Sequence, residues 1–434
     1  METETITAFL AIGAVIFIGF FGNMIFTRYR VPDVLLLVFV GMALGPDVLG
    51  DRLNLVTDAT LADINQFRDL LLSAALVIIL FDGGLCLDMK SVIESMRLSA
   101  FVTVLTFVLE MLAVGAMIHL ILHVDLLLSM VLGAIVGGTS GAIVIPIASK
   151  LRIKPQTKAV MIMESAITDV LVIVTALTLL SLIQIGDVSA LSVAEELAIK
   201  FGVGAAIGFV AGIAWLFVLD RLRKQPLSYM ITVAALFLVA GAVELVDSSG
   251  AVAALFFGLS VGNRQFVRRR LTAVSLGVID DKHIQHFHSE ITFFVRTFFF
   301  VYLGLMFSFD KFTTTHLVMG IVMIAVIALV RRFTTLITWH AGGMEREDAD
   351  ALFGLMPRGL AAAVLATLPA VQLAGVPVWD DEPGLGDLFL NTTLIVILGT
   401  TILATILSFI IEKKYDKRNR LELRRKINES DGFS

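Results

Sequence analysis

The chain has little charge, one cysteine and few of the motifs that mark soluble chemistry. Only 16% of its 434 residues are Asp, Glu, Lys or Arg, against about a quarter in a soluble chain. The single cysteine, Cys86, excludes an internal disulfide and a cysteine metal cluster. No Gly-x-x-x-x-Gly-Lys-[Ser/Thr] pattern occurs, which argues against a nucleotide-driven pump, and the Gly-x-Ser-x-Gly match Gly258-Leu259-Ser260-Val261-Gly262 lies inside a uniformly apolar run without the strand-to-helix turn that a hydrolase nucleophile needs, which argues against an intramembrane hydrolase. Nothing resembles a repeated selectivity loop or an arginine-rich voltage sensor. No Lys or Arg precedes Arg28, and Glu2 and Glu4 lead into the first apolar stretch. That is the wrong charge order for a cleaved secretory signal, so the first segment is expected to stay in the membrane. The net charge of −5 sits in connections between apolar runs and points to no nucleic-acid partner.

Apolar residues dominate instead, at 57% with a mean hydropathy of +0.91. Runs long enough to cross a bilayer fall at 6–26, 32–49, 69–87, 98–122, 127–148, 157–183, 197–219, 229–246, 250–262, 288–307, 315–341, 349–372 and 388–411. Runs this long and this uniformly apolar exclude barrel strands. The expectation is an all-α polytopic membrane protein with about 13 transmembrane helices. Basic residues alternate between connections. One set holds Arg28, Arg30, Lys90, Arg97, Lys150, Arg152, Lys154, Lys158, Arg221, Arg223, Lys224, Arg264, Arg268, Arg269, Arg270, Lys282 and Arg346, and continues in the basic tail 412–434. The other holds only Arg52, Arg68, Lys200 and Lys311. The positive-inside rule then places the N-terminus outside and the C-terminus in the cytoplasm of a multi-pass plasma or inner membrane protein.

Charges inside the runs are the exceptions that carry information. Glu164-Ser165-Ala166-Ile167-Thr168-Asp169 sits between Met161-Ile162-Met163 and Val170-Leu171-Val172. A carboxylate at bilayer depth costs at least about 2.5 kcal/mol and marks an ion or proton path by default. Asp82, Glu110 and Glu244 are the other embedded acids. Arg296, Arg331, Arg332 and Arg358 also fall within runs. A buried arginine keeps its proton, so each needs an anion, carbonyls or water. Arg331 and Arg332 either pair inside or snorkel to the cytoplasmic face.

Two runs are interrupted. Gly137-Gly138-Thr139-Ser140-Gly141 precedes Pro146 in one, and Met356-Pro357-Arg358-Gly359 lies between Ala349 and Pro369 in the other. Such residues free backbone groups that can face an ion. With the seventh run as a linker, the breaks fall in the fifth run of each half, a pattern that points to a transport site between inverted repeats. The expected division is 1–183, a first repeat; 184–228, a linker span; 229–411, a second repeat; and 412–434, the tail.

Thr139-Ser140, Glu164-Ser165-x-x-Thr168-Asp169, Phe298-Phe299-Phe300-Val301-Tyr302-Leu303-Gly304-Leu305 and Pro357-Arg358-Gly359 resemble the monovalent cation:proton antiporters of the NhaP type. Leu80-Phe81-Asp82-Gly83-Gly84-Leu85 and Ser249-Gly250-Ala251-Val252-Ala253-Ala254 agree, and the resemblance runs from about residue 12 to 410. It implies two inverted six-helix repeats with discontinuous crossed helices, a homodimer among membrane lipids, and pH homeostasis by secondary exchange of Na⁺ or Li⁺, or K⁺, for H⁺, without a cofactor or enzymatic step. Asp169 then matches the acid that binds cation and proton in turn. Ser165 and Thr139 complete the metal-ion ligands, Ser140 and Thr168 flank them, and Glu164 pairs with Arg358. Antiporters of this type usually carry Asn where this chain has Thr168 and commonly Asp where it has Ser140, so Asp169 is the site's one formal charge. The single acid at 168–169 goes with electroneutral exchange in the family. The alternatives are a cation channel or a K⁺-selective efflux system.

Ser165 and Asp169 are four apart and share a helical face, while Glu164 is turned away. One carboxylate cannot hold proton and cation together, so each expels the other. Arg296, Arg331 and Arg332 are candidate stabilisers of charge at the empty site, with packing or interfacial roles as the alternative for Arg296. Asp280-Asp281-Lys282-His283 with His286 and His288 reads as a solvated cytoplasmic connection, His119 and His123 as interfacial, and Asp380-Asp381-Glu382 as a solvated outer loop. Asp82 lines a funnel or caps a helix end. The tail reads as an amphipathic or disordered segment near anionic lipid.

Overall fold

A computed structural model describes residues 3–29, 33–50, 68–86, 89–151, 153–185, 190–222, 228–270, 281–307, 309, 312–340, 344–382 and 384–431. Arg30, Arg52, Arg152, Arg223, Lys224, Asp280 and Lys311 lie outside these. Among the described residues every regular element is helical: α1 (Thr3–Tyr29), α2 (Asp33–Leu44, followed by a π-helical turn Pro46–Gly50), α3 (Arg68–Cys86), α4 (Met89–Leu122), α5 (Leu126–Val136), α6 (Gly141–Lys150), α7 (Pro155–Ile185), α8 (Ala190–Leu222) and α9 (Ser228–Glu244). Then come α10 (Gly250–Gly262), α11 (Arg264–Arg270), α12 (Asp281–Leu305), α13 (Thr314–His340), α14 (Arg346–Gly354), α15 (Leu360–Leu365), α16 (Leu368–Gln372), α17 (Pro377–Asp380) and α18 (Leu385–Asp431).

Apolar content alone drives this chain to helix, because a helix satisfies its backbone within one segment where no water is at hand. Arg97–Leu122, Gln156–Gln184, Ile199–Leu222, Thr314–His340 and Leu385–Lys414 are each long and apolar enough to cross a membrane. Large apolar side chains such as Phe9, Phe17, Leu120, Val210, Leu238 and Leu329 point outward. On a soluble protein such patches would drive association, and on a bundle they form the lipid face. Hydroxyls buried in these helices bond back to their own turn, as Thr178 to the Val174 carbonyl and Thr401 to that of Ile397.

The helices pack in two groups. Around α4 gather α5, α7 and α13, with α14, α15 and α18 closing that side, while α10 packs on α3, α8 and α9, and α12 on α2 and α3. The groups meet where α7 lies against α8. Both runs expected to be interrupted are divided, at Gly137–Ser140 and at Leu355–Gly359. Pro146, by contrast, sits inside α6 without stopping it.

The connection expected to be solvated is helical from Asp281 on and buried at His288. Helix α12 begins at Asp281, and His288 is buried edge-on against the Phe81 ring at 5.0 Å. The polar composition of the stretch hid a helix in which His288 turns inward to an aromatic contact. The tail likewise continues α18 to Asp431 with no break at residue 412.

Within the second group, α3 and α10 cross so closely that a Cβ on Gly258 would lie 2.2 Å from the Phe81 carbonyl, and one on Gly84 2.2 Å from that of Leu255. Small residues let backbones approach where no hydrophobic force holds helices together. Gly258→Ala is expected to destabilise the protein by about 1–3 kcal/mol through overpacking, read as a lower midpoint of thermal unfolding in detergent. Gly241→Ala, where the added methyl meets nothing within 4 Å, should leave the midpoint unchanged.

Candidate functional site

The two breaks touch. Ser140 is extended and its N–H donates to the Pro357 carbonyl at 2.8 Å, so the first interruption is hydrogen-bonded to the second. Contact this tight needs a residue without a side chain on one strand, and a Cβ on Gly359 would fall 2.2 Å from the Ser140 hydroxyl. On the other side, Gly138 lies against α7, where a Cβ would meet Val172 at 2.4 Å.

Asp169 stands at this crossing. It is half-buried, and the Gly141 N–H at the first turn of α6 donates to its carboxyl. A helix N-terminus favours negative charge, so α6 supplies a partial positive end to the acid. Beside it, the Thr168 hydroxyl lies 3.2 Å from the Thr139 hydroxyl, accepts from the Thr139 N–H at 3.2 Å, and contacts the carbonyls of Thr139 and Ser165 at 3.2 and 3.1 Å. Ser165 donates to the Ile162 carbonyl at 2.9 Å. A hydroxyl whose proton is tied to a carbonyl keeps lone pairs for a cation. The structure therefore brings Thr139, Ser140, Ser165, Thr168 and Asp169 together, with Thr168 bracing the break against α7.

The expected pairing of Glu164 with Arg358 is not what forms. Glu164 receives both terminal nitrogens of Arg331, one at 2.8 Å and one closer, and Arg358 donates instead to Glu110 on α4 at 2.5 Å. All four side chains are at most 2% exposed. Helical spacing shows that Glu164 faces away from Asp169 but not which neighbour it faces, and α13 presents Arg331 there.

Each arginine also caps a broken helix. Arg358 donates to the Val136 carbonyl, the last residue of α5, at 2.7 Å and to that of Met356 at 2.7 Å, while its own N–H reaches the Thr400 hydroxyl of α18 at 3.0 Å. Arg331 donates to the carbonyls of Leu352 and Leu355 at the end of α14, at 3.0–3.3 Å. These are the carbonyls that an interrupted helix leaves without partners.

Arg331 and Arg332 part company because adjacent helical residues point about 100° apart. Arg331 is the inward one. Arg332 takes the snorkelling course, 39% exposed and bonded to Asp350 at 2.9 Å, with Lys414 on that carboxylate's other oxygen at 3.6 Å. Arg296 lies in electrostatic reach of Asp82. His119 bonds the Val124 carbonyl at 2.7 Å at the end of α4, and Asp380, Asp381 and Glu382 are exposed.

Glu110 is the functional residue that composition flagged without a role. The signal was present: Ser99, Thr103, Thr106 and Glu110 are spaced 4, 3 and 4 residues apart, one face of α4, and all are buried. Thr106 bonds Thr334 of α13 at 3.0 Å along the same seam.

A cavity of about 400 Å³ opens one turn beyond Asp169. Ile173 and Leu177 of α7, four and eight residues on and so on the same face, form one wall, Val364 and Leu365 of α15 another, and Lys200, Glu244 and Asp247 stand at its rim. It lies between the two helix groups.

Double-mutant cycles on thermal stability should find strong coupling, about 3 kcal/mol, for Glu164 with Arg331 and for Glu110 with Arg358. Coupling between Glu164 and Arg358 should be far smaller. Comparable coupling for that cross pair would restore the pairing implied by sequence.

The family described as sodium/hydrogen exchanger, transmembrane, matches residues 13–413. The K(+)/H(+) antiporter NhaP of Alkalimonas amylolytica is 27% identical over 415 residues, covering 93% of this chain and 65% of that protein. The probable Na(+)/H(+) antiporter 2 of Methanocaldococcus jannaschii is 23% identical over 401 residues, covering 90% and 91%. The structure of the sodium proton antiporter MjNhaP1 from Methanocaldococcus jannaschii superposes with a TM-score of 0.78 at 19% identity, over 95% of this chain and 99% of that one. This chain spans under two thirds of the length of the first of these relatives. From the family match across nearly its whole length, the chain belongs to the sodium/hydrogen exchanger family.

Proposed function

We propose that this protein exchanges a monovalent cation for H⁺ by alternating access, with Asp169 as the group that carries one or the other. The observation that carries the reading is the crossing itself. Two backbone breaks are hydrogen-bonded to each other next to one half-buried carboxyl that accepts from the amide at the first turn of α6, and the hydroxyls of Thr139, Ser165 and Thr168 are held on the first break and on α7. A cation needs oxygen ligands, and a carboxylate that must choose between proton and cation couples the two gradients.

Na⁺, Li⁺ and K⁺ are all within the proposal. Relatives named as K(+)/H(+) antiporters and as Na(+)/H(+) antiporters both match the chain, and with Ser140 and Thr168 in the site the ligands offered are oxygens of one formal charge. The proposed exchange is electroneutral, one proton for one cation, with Asp169 as the single acid at 168–169. Thr139, Ser165 and Ser140 serve as ligands, and Thr168 as the brace that holds Thr139 in register. The two six-helix repeats 1–183 and 229–411 joined by 184–228, a homodimer, an external N-terminus and a cytoplasmic C-terminus complete the proposal; the concentration of basic residues on one set of connections supports the orientation.

Asp169→Asn is expected to abolish cation-driven proton movement in reconstituted vesicles while the protein remains folded and monodisperse, since the amide keeps the volume and loses the titrating charge. Wild-type-like exchange by that variant would remove Asp169 from the mechanism. In the same assay with Na⁺, Li⁺ and K⁺ offered separately, wild-type rates should be unaffected by an imposed membrane potential; a potential-dependent rate would reject one-for-one exchange.

A further inference from the structure

The cavity beyond Asp169 has apolar walls and a charged rim. Among its lining residues, the charged ones are Lys200, Glu244 and Asp247. Apolar walls do not draw an ion in, so the field that a cation meets on entering is set at the rim.

The rim is assembled from two helices. Glu244 ends α9, and its Oε1 accepts the Gly250 N–H of α10 at 2.7 Å, which holds that carboxylate in place. Asp247 lies in the turn that follows, at a positive φ of 54°. Ser248 pins the turn to α8 by donating to the Lys200 carbonyl at 2.7 Å. Lys200 therefore has its backbone fixed at the rim, while its ammonium reaches Asp247 at 3.9 Å. Its side chain is 25% exposed, against 95% for Asp247, so the lysine is the more enclosed of the two.

We propose that Lys200 is a tethered cation that guards this mouth, lowering the attraction of its two carboxylates for entering monovalent ions and denying them to divalent ones. The inference rests on the antiport reading for the identity of the ion that enters. Physically, two carboxylates three residues apart with no cation between them offer hard oxygen ligands to Ca²⁺ or Mg²⁺. An ammonium on a flexible stem occupies the same field, carries one charge, and cannot leave. A bound divalent ion in the throat would block the path to Asp169, so the fixed charge trades some monovalent affinity for an open channel.

The test uses the full chain in liposomes, reading cation-driven proton movement from the side on which the mouth opens. At about 10 mM ionic strength, Lys200→Gln should lower the apparent KM for the cation by about threefold with little change in maximal rate. The difference should vanish at about 0.5 M choline chloride, where charges are screened within a few ångströms. Millimolar external Ca²⁺ should inhibit Lys200→Gln and leave both wild type and Lys200→Arg unaffected. In detergent, Lys200→Gln should bind Ca²⁺ calorimetrically, and Glu244→Gln added to it should remove that binding. An unchanged KM at low ionic strength, a shift that survives high salt, or equal Ca²⁺ binding by wild type and Lys200→Gln overturns the proposal. Should the wild type show no exchange at all, the antiport reading fails, and Ca²⁺ binding still decides the role of Lys200.

Discussion

Two helices broken inside an apolar bundle leave carbonyl ends and amide ends where no water reaches them, and the remainder of the core is arranged around satisfying both. The carbonyl ends are met by guanidinium groups. Arg358 takes the end of α5, and Arg331 the end of α14. Each cation then needs a counter-charge, which Glu110 and Glu164 supply from α4 and α7. The amide end of α6 is left for Asp169. A single requirement, that buried polar groups find partners, thus accounts for Glu110, Glu164, Arg331 and Arg358 as scaffold and sets Asp169 apart.

That separation is what lets the site work. Removing one partner of a buried pair costs about 3–5 kcal/mol, so the pairs hold the breaks in register as long as both partners stay ionised. Among the described residues no arginine or lysine pairs with Asp169, and the contact its carboxyl makes is with the Gly141 amide, as the proposed exchange of proton for cation requires. Thr168 contributes by bracing Thr139 at 3.2 Å, a job a hydroxyl can do without the amide that the resemblance led one to expect there. Ser165 gives its hydroxyl proton to the Ile162 carbonyl, which leaves that oxygen's lone pairs unspent.

The helical class, the approximate spans and both interruptions were legible because each rests on local chemistry: uninterrupted apolar length, and Gly and Pro at 137–141 and 357–359. The cluster of Thr139, Ser165 and Asp169 was legible from spacing on one helix plus the resemblance. The pairing of acids with arginines was not. Glu164 is equally available to Arg331 or Arg358 on paper, and which one it meets depends on how α13 and the second break lie against α7. Glu110 shows the intermediate case, since its buried stripe on α4 can be read from the sequence while its partner cannot. His288 was misread as solvated because the polar composition of its neighbours outweighed the aromatic contact that buries it. The rim of Lys200, Glu244 and Asp247 joins residues more than forty positions apart and exists only in the folded chain.

A carboxyl that holds either a proton or a cation, as proposed for Asp169, must release the first on taking the second. Proton release on cation addition tests it most directly, measured with a pH-sensitive dye on the purified protein in weakly buffered detergent solution, alongside the cation bound in the same sample. The account predicts one proton released for each cation bound, at a pH where Asp169 starts protonated. Saturable cation binding with no proton released would contradict it.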